Sequence, residues 1–591
     1  MSDASSLSSA PAPVAPAASA APALAKNELL KQRDPTLGGA IAATLADPTA
    51  DRFSEDDEQF IKFHGFYQQD DRDKRKTGKQ YIFMIRNRLP GGVMTPEQYL
   101  AFDDLATRYA NNTLRITSRQ AFQWHGVVKS GLGPIMRGIH DVLSTTLAAC
   151  GDVARNVMAP STPATSVLVE QVLADSRLVS TELLPRATAY HQIWIDGHEL
   201  NLHGARGEEP REPQPAEDPL YGRTYLPRKF KTAFAIPPLN DTDVFTNCLG
   251  FVAIADPANP DRVLGYNLLV GGGLGMSHGN KETYPRLADV LGFFPRERIV
   301  EVAKAVLTAY RDHGDRTNRK HARLKYVLEE KGAAWFRGEV EARTGFALAA
   351  PAPMNFTRQG DLFGWHRQTD GRSFLGLYVE AGRIKDTAQR QLKTALRRIV
   401  EKHRVEVRLT PSQNLLLANV PEAARADITA ILAEHGVPVE NQARAVRSAS
   451  MACPSMPTCG LGLAESERFL PTLLDAFEAE LAALGLADEE LIVRMTGCPN
   501  GCARPYMAEI GFVGRAPNKY NLYLGGSETC LRLNREFRAS VKSEDIMKEL
   551  RLVLTRWRDE RQPGERFGDF AQRTIPPELD AAKAAAATVA T

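Results

Sequence analysis

The sequence predicts a multidomain protein of mixed α+β and α/β class, arranged around an internal duplication. Three observations carry that expectation. The 591 residues exceed what one hydrophobic core usually supports. Two stretches far apart in the chain read as the same strand, turn, helix, strand, strand plan. The long section between them alternates apolar strand-like runs with Gly- and Pro-rich turns.

In the first copy, residues 81–88 read as a strand and Leu89-Pro90-Gly91-Gly92 as a turn. Thr95-Pro96-Glu97-Gln98 is a capping box with Pro at the first helical position. Tyr99, Phe102, Ala106 and Tyr109 then fall on one helical face. Strands follow at 114–117 and 122–128, joined through Ser118-Arg119-Gln120. In the second copy, 375–380 is a strand and Ala381-Gly382 a turn. Thr387 precedes a helix carrying Leu392, Leu396, Ile399 and Val400. Strands at 405–410 and 415–420 are joined by Pro411-Ser412-Gln413-Asn414. Arg115-Ile116-Thr117-Ser118-Arg119-Gln120 matches Arg408-Leu409-Thr410-Pro411-Ser412-Gln413 in its Arg, Thr and Gln. Each copy is therefore expected to be a small α+β half that pairs with the other.

The expected organisation follows. Residues 1–50 form a disordered tail, read from the Ala, Pro and Ser of the first 25, and 51–80 a polar N-terminal arm. The charge-dense run 68–76 in that arm is either a solvated face or a surface that contacts another domain. Residues 81–147 and 364–440 are the paired halves, and 148–363 an α/β middle domain with a strand at 192–195. Residues 441–575 form a last α/β domain, and 576–591 a disordered tail.

A formal net charge of +2 gives no bulk attraction to nucleic acid or membrane. No apolar run is long enough for a membrane helix, and the N-terminal prolines interrupt any secretory leader. The cysteines number seven, odd and sparse, which argues against a disulfide framework and for a reducing cytoplasm.

Four of the seven fall in one segment, as Cys453-x5-Cys459 and Cys498-x3-Cys502, among Pro and Gly turns. Four thiolates at such irregular spacing favour a [4Fe–4S] cluster over zinc, with unligated thiols third. Arg86, Arg88, Arg115, Arg119, Arg155, Arg228, Lys229 and Lys231 lie on or beside expected strands. Singly each reads as a surface charge; together they point to a pocket for a polyanion or a small oxyanion. Alternation places Lys229 and Lys231 on one face. The run Gly271-Gly272-Gly273-Leu274-Gly275 lacks the third glycine of a dinucleotide loop and reads better as a tight turn at a domain junction. With no nicotinamide or flavin fingerprint, reducing equivalents are expected from a partner. His125 alone reads as structural.

These residues carry a resemblance. The chain is similar to the sulfite/nitrite reductase family, which holds siroheme and a [4Fe–4S] cluster. The similarity runs from about Phe60 to Phe570, through residues 63–73, 88–93, 224–232, 267–274 and both cysteine motifs. The resemblance implies a three-domain siroheme reductase with a pseudo-twofold duplication of ferredoxin-like halves. It implies that Cys453, Cys459, Cys498 and Cys502 ligate the cluster, and that Cys502 is shared with the siroheme iron. It places Arg86, Arg155, Lys229 and Lys231 where sulfite binds. It makes Arg115, Thr117, Arg119, Gln123, His125, Arg228, Arg323, Gln413, Thr496, Asn500 and Gly501 siroheme contacts. Ser118 stands where the family often has Asn, and Arg323 where it has a lysine. The implied activity is six-electron reduction of sulfite to sulfide, with electrons from NADPH through a flavoprotein (alpha) partner. That would serve sulfate assimilation and cysteine biosynthesis. The alternative is a ferredoxin-dependent nitrite or sulfite reductase of the same fold.

Overall fold

The structure is a computed structural model describing residues 23–163, 166–186, 188–195, 217–441 and 443–575. The expected disorder of 1–22 and 576–591 lies outside the described residues.

Each half of the duplication builds a five-stranded sheet. The first has the order β1 (Phe66–Asp70), β2 (Tyr81–Arg86), β5 (Phe122–Val127), β4 (Leu114–Ile116) and β12 (Arg383–Ile384). The second has β10 (Gly364–Arg367), β11 (Ser373–Leu377), β14 (Leu415–Val420), β13 (Glu406–Leu409) and β3 (Val93–Met94). Each half thus lends a two-residue strand to the other's edge. Arg383 pairs with Arg115, and Arg408 with Val93. This exchange covers an otherwise open sheet edge and fixes the two halves against each other.

The repeat extends to single hydrogen bonds. Gln120 and Gln413 are both left-handed, at φ 53° and 72°. Each donates its backbone N–H to the carbonyl of the Thr three residues earlier, at 3.1 Å in both copies. Gly92 and Gly382 occupy matching turns. A Cβ on Gly92 would meet Leu409 O at 2.6 Å, and one on Gly382 would meet Ile116 O at 2.7 Å. The capping box forms as expected at Thr95, opening the helix Pro96–Tyr109.

A second duplication is present that the sequence reading did not contain. The middle sheet has the order β6 (Thr232–Ala235), β7 (Leu249–Asp256), β8 (Asn259–Val270), β9 (Asp289–Pro295). The last sheet has β15 (Met451–Ala452), β16 (Val493–Thr496), β17 (Ile510–Ala516), β18 (Lys519–Leu524), β19 (Arg535–Lys542). Both run one parallel and then two antiparallel pairings from β6 and β16 onward. Thr232 pairs with Leu249 and Val493 with Ile510, at the same separation. The bridge Met158–Ala233 matches the pairing Met451–Arg494. In that register Pro160, Pro237 and Asp241 stand where Cys453, Cys498 and Cys502 stand. The middle copy therefore carries no thiol at those three places.

Three expectations are corrected. Residues 23–50 are not a disordered tail: helices form at Lys26–Arg33 and Ile41–Ala46, anchored by buried Leu30, Leu37 and Ile41. Residues 51–80 are not only an arm, and of the two readings open for 68–76 the contact holds at Arg72 while 73–76 are exposed. Residues 51–80 supply the helix Asp57–Phe63 and the edge strand β1, and Arg72 donates to Gly460 O and Gly462 O beside Cys459. Residues 192–195 are not a strand. The helix Thr188–Trp194 buries Tyr190 and Trp194 four residues apart on one face, a helical rather than an alternating spacing.

The candidate cluster and anion site

The cysteine loops hang from the parallel strands β15, β16 and β17. Cys453 follows β15 and Cys498 follows β16, so both thiols emerge at the same end of the sheet. Gly497 is required there: a Cβ would meet Ser455 Oγ at 1.7 Å and Ala464 O at 2.3 Å. Its N–H points to Cys453 Sγ at 3.4 Å, and Asn500 Nδ2 donates to Cys498 Sγ at 3.5 Å. Gly501 takes φ 64°, which turns the chain into Cys502. Cys453 and Cys498 are buried, Cys459 is half-buried and Cys502 is exposed.

The thiols sense one another. Burial, then Cys502 and Cys498, raise Cys453 far above the ordinary thiol range. Burial and Cys502 push Cys498 up to about 11, and they raise Cys459 as well. Four thiolates in one place repel each other unless a cationic centre joins them. Among the described residues no three His, Cys, Asp or Glu side chains are grouped as ligands of one metal ion. Four thiols on two loops, each felt by the others, are the donor set that a [4Fe–4S] cluster takes.

Both halves of the first duplication clamp these loops. Arg115 Nη2 and Gln413 Nε2 donate to Ala452 O at 2.7 and 3.0 Å. Ser118 Oγ donates to Cys502 O at 2.7 Å, so the residue that departs from the family pattern holds the backbone of the exposed cysteine. Arg504 donates to Ser118 O and Pro411 O, one from each repeat turn. The glycine run closes the other side. Met276 N donates to Pro499 O at 2.9 Å, and buried Lys325 donates to Gly273 O and Gly275 O. The run lies at a domain junction as expected, but it is a segment bridged at Gly273 to Arg286, not a tight turn.

Arg86, Lys229 and Lys231 lie within electrostatic reach of Cys502, and Arg155 within reach of Lys229. Lys229 and Lys231 flank buried Phe230 in the extended segment that leads into β6, so their alternation stands although the strand begins at Thr232. Burial, then Arg228 and Arg323, lower Lys229 to about 7, and Cys502 and Arg155 also act on it. Burial, Arg119, Lys229 and Arg323 take Lys231 well below its usual range. Arg155 is anchored by Nε on Gly151 O at 2.8 Å. Arg86, at the end of β2, contacts Cys150 Sγ at 3.4 Å. With the Gln123 amide oxygen facing it, Arg86 Nη2 donates at 2.5 Å. Cys502 also acts on Arg86. These groups have the charge to hold an anion. A dianion among these groups would offset their mutual repulsion and restore the lysines' protons.

The remaining residues divide. His125 is buried, held neutral by burial and by Arg383, and its Nδ1 meets Thr458 Oγ1 of the cysteine loop at 3.3 Å. Thr496 Oγ1, Gln413 Oε1, Arg119 Nε and Arg323 Nε are buried without a hydrogen-bond partner. Such orphaned groups among the buried cations fit a polar macrocycle rich in carboxylates. Arg323 meets Cys248 Sγ at 3.6 Å, and Arg228 lies 3.7 Å from Asp152. Arg115 departs from its expected role. It pairs with Glu467 at 2.9 Å and with backbone oxygens, so its guanidinium supports the back of the cysteine loop. Thr117 Oγ1 is occupied in its own turn, accepting from Arg119 N and Ala121 N. Arg88, grouped above with the pocket cations, is spent on Ser180 and Ala154 O. Sequence reasoning missed Tyr67, Cys150, Cys248 and Lys325. Nothing in local spacing marks them, and only the tertiary fold brings them beside the cations.

Comparison with known proteins gives the following. A family model described as the nitrite and sulphite reductase 4Fe-4S domain matches residues 174–348. One described as the nitrite/sulfite reductase ferredoxin-like half domain matches twice, at 74–142 and 366–435. The first match covers the middle copy of the second duplication, whereas the four thiols lie in the last copy. The sulfite reductase [NADPH] hemoprotein beta-component of Methylobacterium sp. (strain 4-46) is 50% identical over 564 residues, 94% of this chain and 91% of that one. That of Myxococcus xanthus (strain DK1622) is 47% identical over 556 residues, 93% and 96%. The structure of Mycobacterium tuberculosis NirA protein superposes with a TM-score of 0.74 at 25% identity, covering 93% and 96%. Among the described residues no helix is long and apolar enough to cross a membrane.

Proposed function

The chain belongs to the nitrite and sulfite reductase family, and on that premise we propose that it reduces sulfite to sulfide with siroheme beside a [4Fe–4S] cluster. Its electrons come from NADPH through a flavoprotein partner, in sulfate assimilation. The observation that carries this reading is the convergence of Arg86, Lys229 and Lys231 on the exposed Cys502, with Arg155 beside Lys229.

Cys453, Cys459, Cys498 and Cys502 would hold the cluster, with Cys502 facing the siroheme iron. Arg119, Arg228, Arg323, Gln123, His125, Gln413, Thr496 and Asn500 would hold the macrocycle. When bound, the two groups would relay, one at a time, the six electrons that the donor provides.

The chain's own part is electrostatic. Arg86 and Arg155 bind and orient the oxyanion with charges that stay on at any working pH. Each S–O bond that breaks leaves negative charge on oxygen, which the fixed cations stabilise without reorganising. Lys229, at about 7, can give the proton on Nζ to that oxygen near neutral pH and take another from solvent. Lys231 sits two residues on with its proton affinity also lowered, by burial and by Arg119, and a bound dianion would raise it again. Buried Phe230 between them sets both ammonium groups on one side.

The test is steady-state reduction of sulfite and of nitrite, each with the flavoprotein or ferredoxin as donor. Preferred turnover of sulfite with the flavoprotein supports the reading. Preference for nitrite with ferredoxin moves the chain to the other branch of the family.

A further inference from the structure

The segment that delivers Arg228, Lys229 and Lys231 is held from behind by charges that the mechanism above does not use. Asp152 is buried and accepts from Arg319 Nη1 at 2.8 Å and Nη2 at 3.1 Å. Arg228 Nη1 lies 3.7 Å from Asp152 Oδ1, and Lys31 Nζ lies 3.7 Å from Oδ2. Lys31 belongs to the N-terminal helix Lys26–Arg33 and is also buried. It donates to Glu28 Oε1 at 2.6 Å and to Leu226 O at 2.9 Å. Glu28 in turn pairs with Arg316 at 2.5 Å, and Arg316 Nη2 donates to Tyr225 O at 2.7 Å. Two buried carboxylates are thus interleaved with Lys31, Arg228, Arg316 and Arg319.

The backbone places Asp152 where the two limbs of the pocket meet. Leu226 N donates to Asp152 O at 3.1 Å, Phe230 N to Val153 O at 3.0 Å, and Arg155 N to Phe230 O at 2.9 Å. Arg155 returns its Nε to Gly151 O. One short ladder therefore sets the height of Arg155 against that of Lys229 and Lys231. The Asp152 carboxylate opposes the burial and the Arg319 charge that lower the proton affinity of Arg228. Arg228 in turn is the nearest chain neighbour of Lys229 and one of the charges that lower its proton affinity.

We propose that Asp152 is a positioning residue of the oxyanion pocket, and that Lys31 and the helix Lys26–Arg33 are part of the frame that sets its affinity for substrate. Asp152 touches neither the thiols nor the reacting atoms; it acts by fixing Arg228 and the limb behind Lys229. The proposal rests on the reading of the pocket as the sulfite site.

The test uses the reconstituted holoenzyme complex. Asp152→Asn, Asp152→Glu, Lys31→Met and, as a control on the exposed face of the same helix, Leu29→Ser are compared with the parent. Sulfite binding is read as the optical change of the oxidised protein, and turnover as KM and kcat. The expected result is a rise in sulfite KM of about tenfold or more in Asp152→Asn, larger than its fall in kcat, at unchanged iron and heme content. Asp152→Glu restores part of the affinity, Lys31→Met shows the same split more weakly, and Leu29→Ser matches the parent. If Asp152→Asn does not fold, Lys31→Met decides. Parent-like KM and binding in every folded variant, or equal losses in KM and kcat with no rescue by Glu, overturn the proposal. A parent protein that gives no optical response to sulfite refutes the pocket assignment itself, a separate outcome.

Discussion

Asp243 and Arg504 form an ion pair 2.6 Å apart from matching positions in the two copies of the second duplication. Each is left-handed, at φ 47° and 55°, and each caps a three-residue turn, Val244–Thr246 and Pro505–Met507. Arg494 reaches the same Asp243 oxygen at 2.6 Å. The pseudo-twofold relation thus meets in a buried acid shared by two arginines, and Arg504 carries the contact onward to Ser118 and Pro411. Removing the acid strands two buried cations. Asp243→Asn is expected to cost about 3–5 kcal/mol of stability, read from denaturant midpoints. Asp243→Asn combined with Arg504→Met is expected to recover part of it.

Glu467 makes a second testable clamp. It pairs with Arg383 at 2.7 Å and Arg115 at 2.9 Å, and its N–H donates to Cys453 O at 3.1 Å. Burial alone would raise its carboxyl, but Arg383 and Arg115 outweigh that and hold it at about 2. A carboxyl depressed on folding contributes stability above its unfolded value, and that stability is lost as pH falls toward the folded value. The contribution is about 3 kcal/mol at neutral pH. Glu467→Gln is expected to be less stable by at least that at pH near 6. The gap should close as pH falls from the ordinary carboxyl range toward about 2, measured by unfolding at a series of pH values.

Much of this was legible in the sequence, for physical reasons that differ by element. The ferredoxin-like halves showed because Arg, Thr and Gln recur in a turn that needs a left-handed Gln and a Thr carbonyl in both copies. The four thiols showed because their residue type and Pro/Gly setting are rare. The second duplication did not show, because its copies share few side chains: Met158-Ala159, Pro238 and Gly250-Phe251-Val252 recur as Met451-Ala452, Pro499 and Gly511-Phe512-Val513, but these matches are scattered, Asp241 replaces Cys502, and Asp243 opposes Arg504. The N-terminal helix was hidden by the Ala/Pro composition that precedes it. Its anchors, Leu30 and Lys31, gain their meaning only from partners such as Leu226 and Asp152, which lie far along the chain.

The thiols are expected to be unequal. Cys453→Ser, Cys459→Ser and Cys498→Ser should each lose cluster iron and acid-labile sulfide, read by iron and sulfide assay. Gly497→Ala should do the same without touching a ligand, because its Cβ has no room against Ser455 and Ala464. Cys502→Ser should also change the visible heme bands, since that sulfur is the exposed one.

Lys229 gives the pH signature. Its proton is lost as pH rises through about 7 in the empty pocket. Sulfite KM is therefore expected to climb above that pH. Lys229→Arg, which keeps its charge, should flatten the climb, and Lys229→Met should raise KM throughout. The check is KM against pH for the three proteins.

The most direct measurement is the visible absorption spectrum of the purified protein, with and without sulfite, for the parent and for Arg86→Ser with Lys229→Met. The account predicts heme bands in both, an optical shift on adding sulfite to the parent, and a shift weakened by at least tenfold in apparent affinity in the double variant. Absence of heme bands in the parent, or an undiminished shift in the double variant, would contradict it.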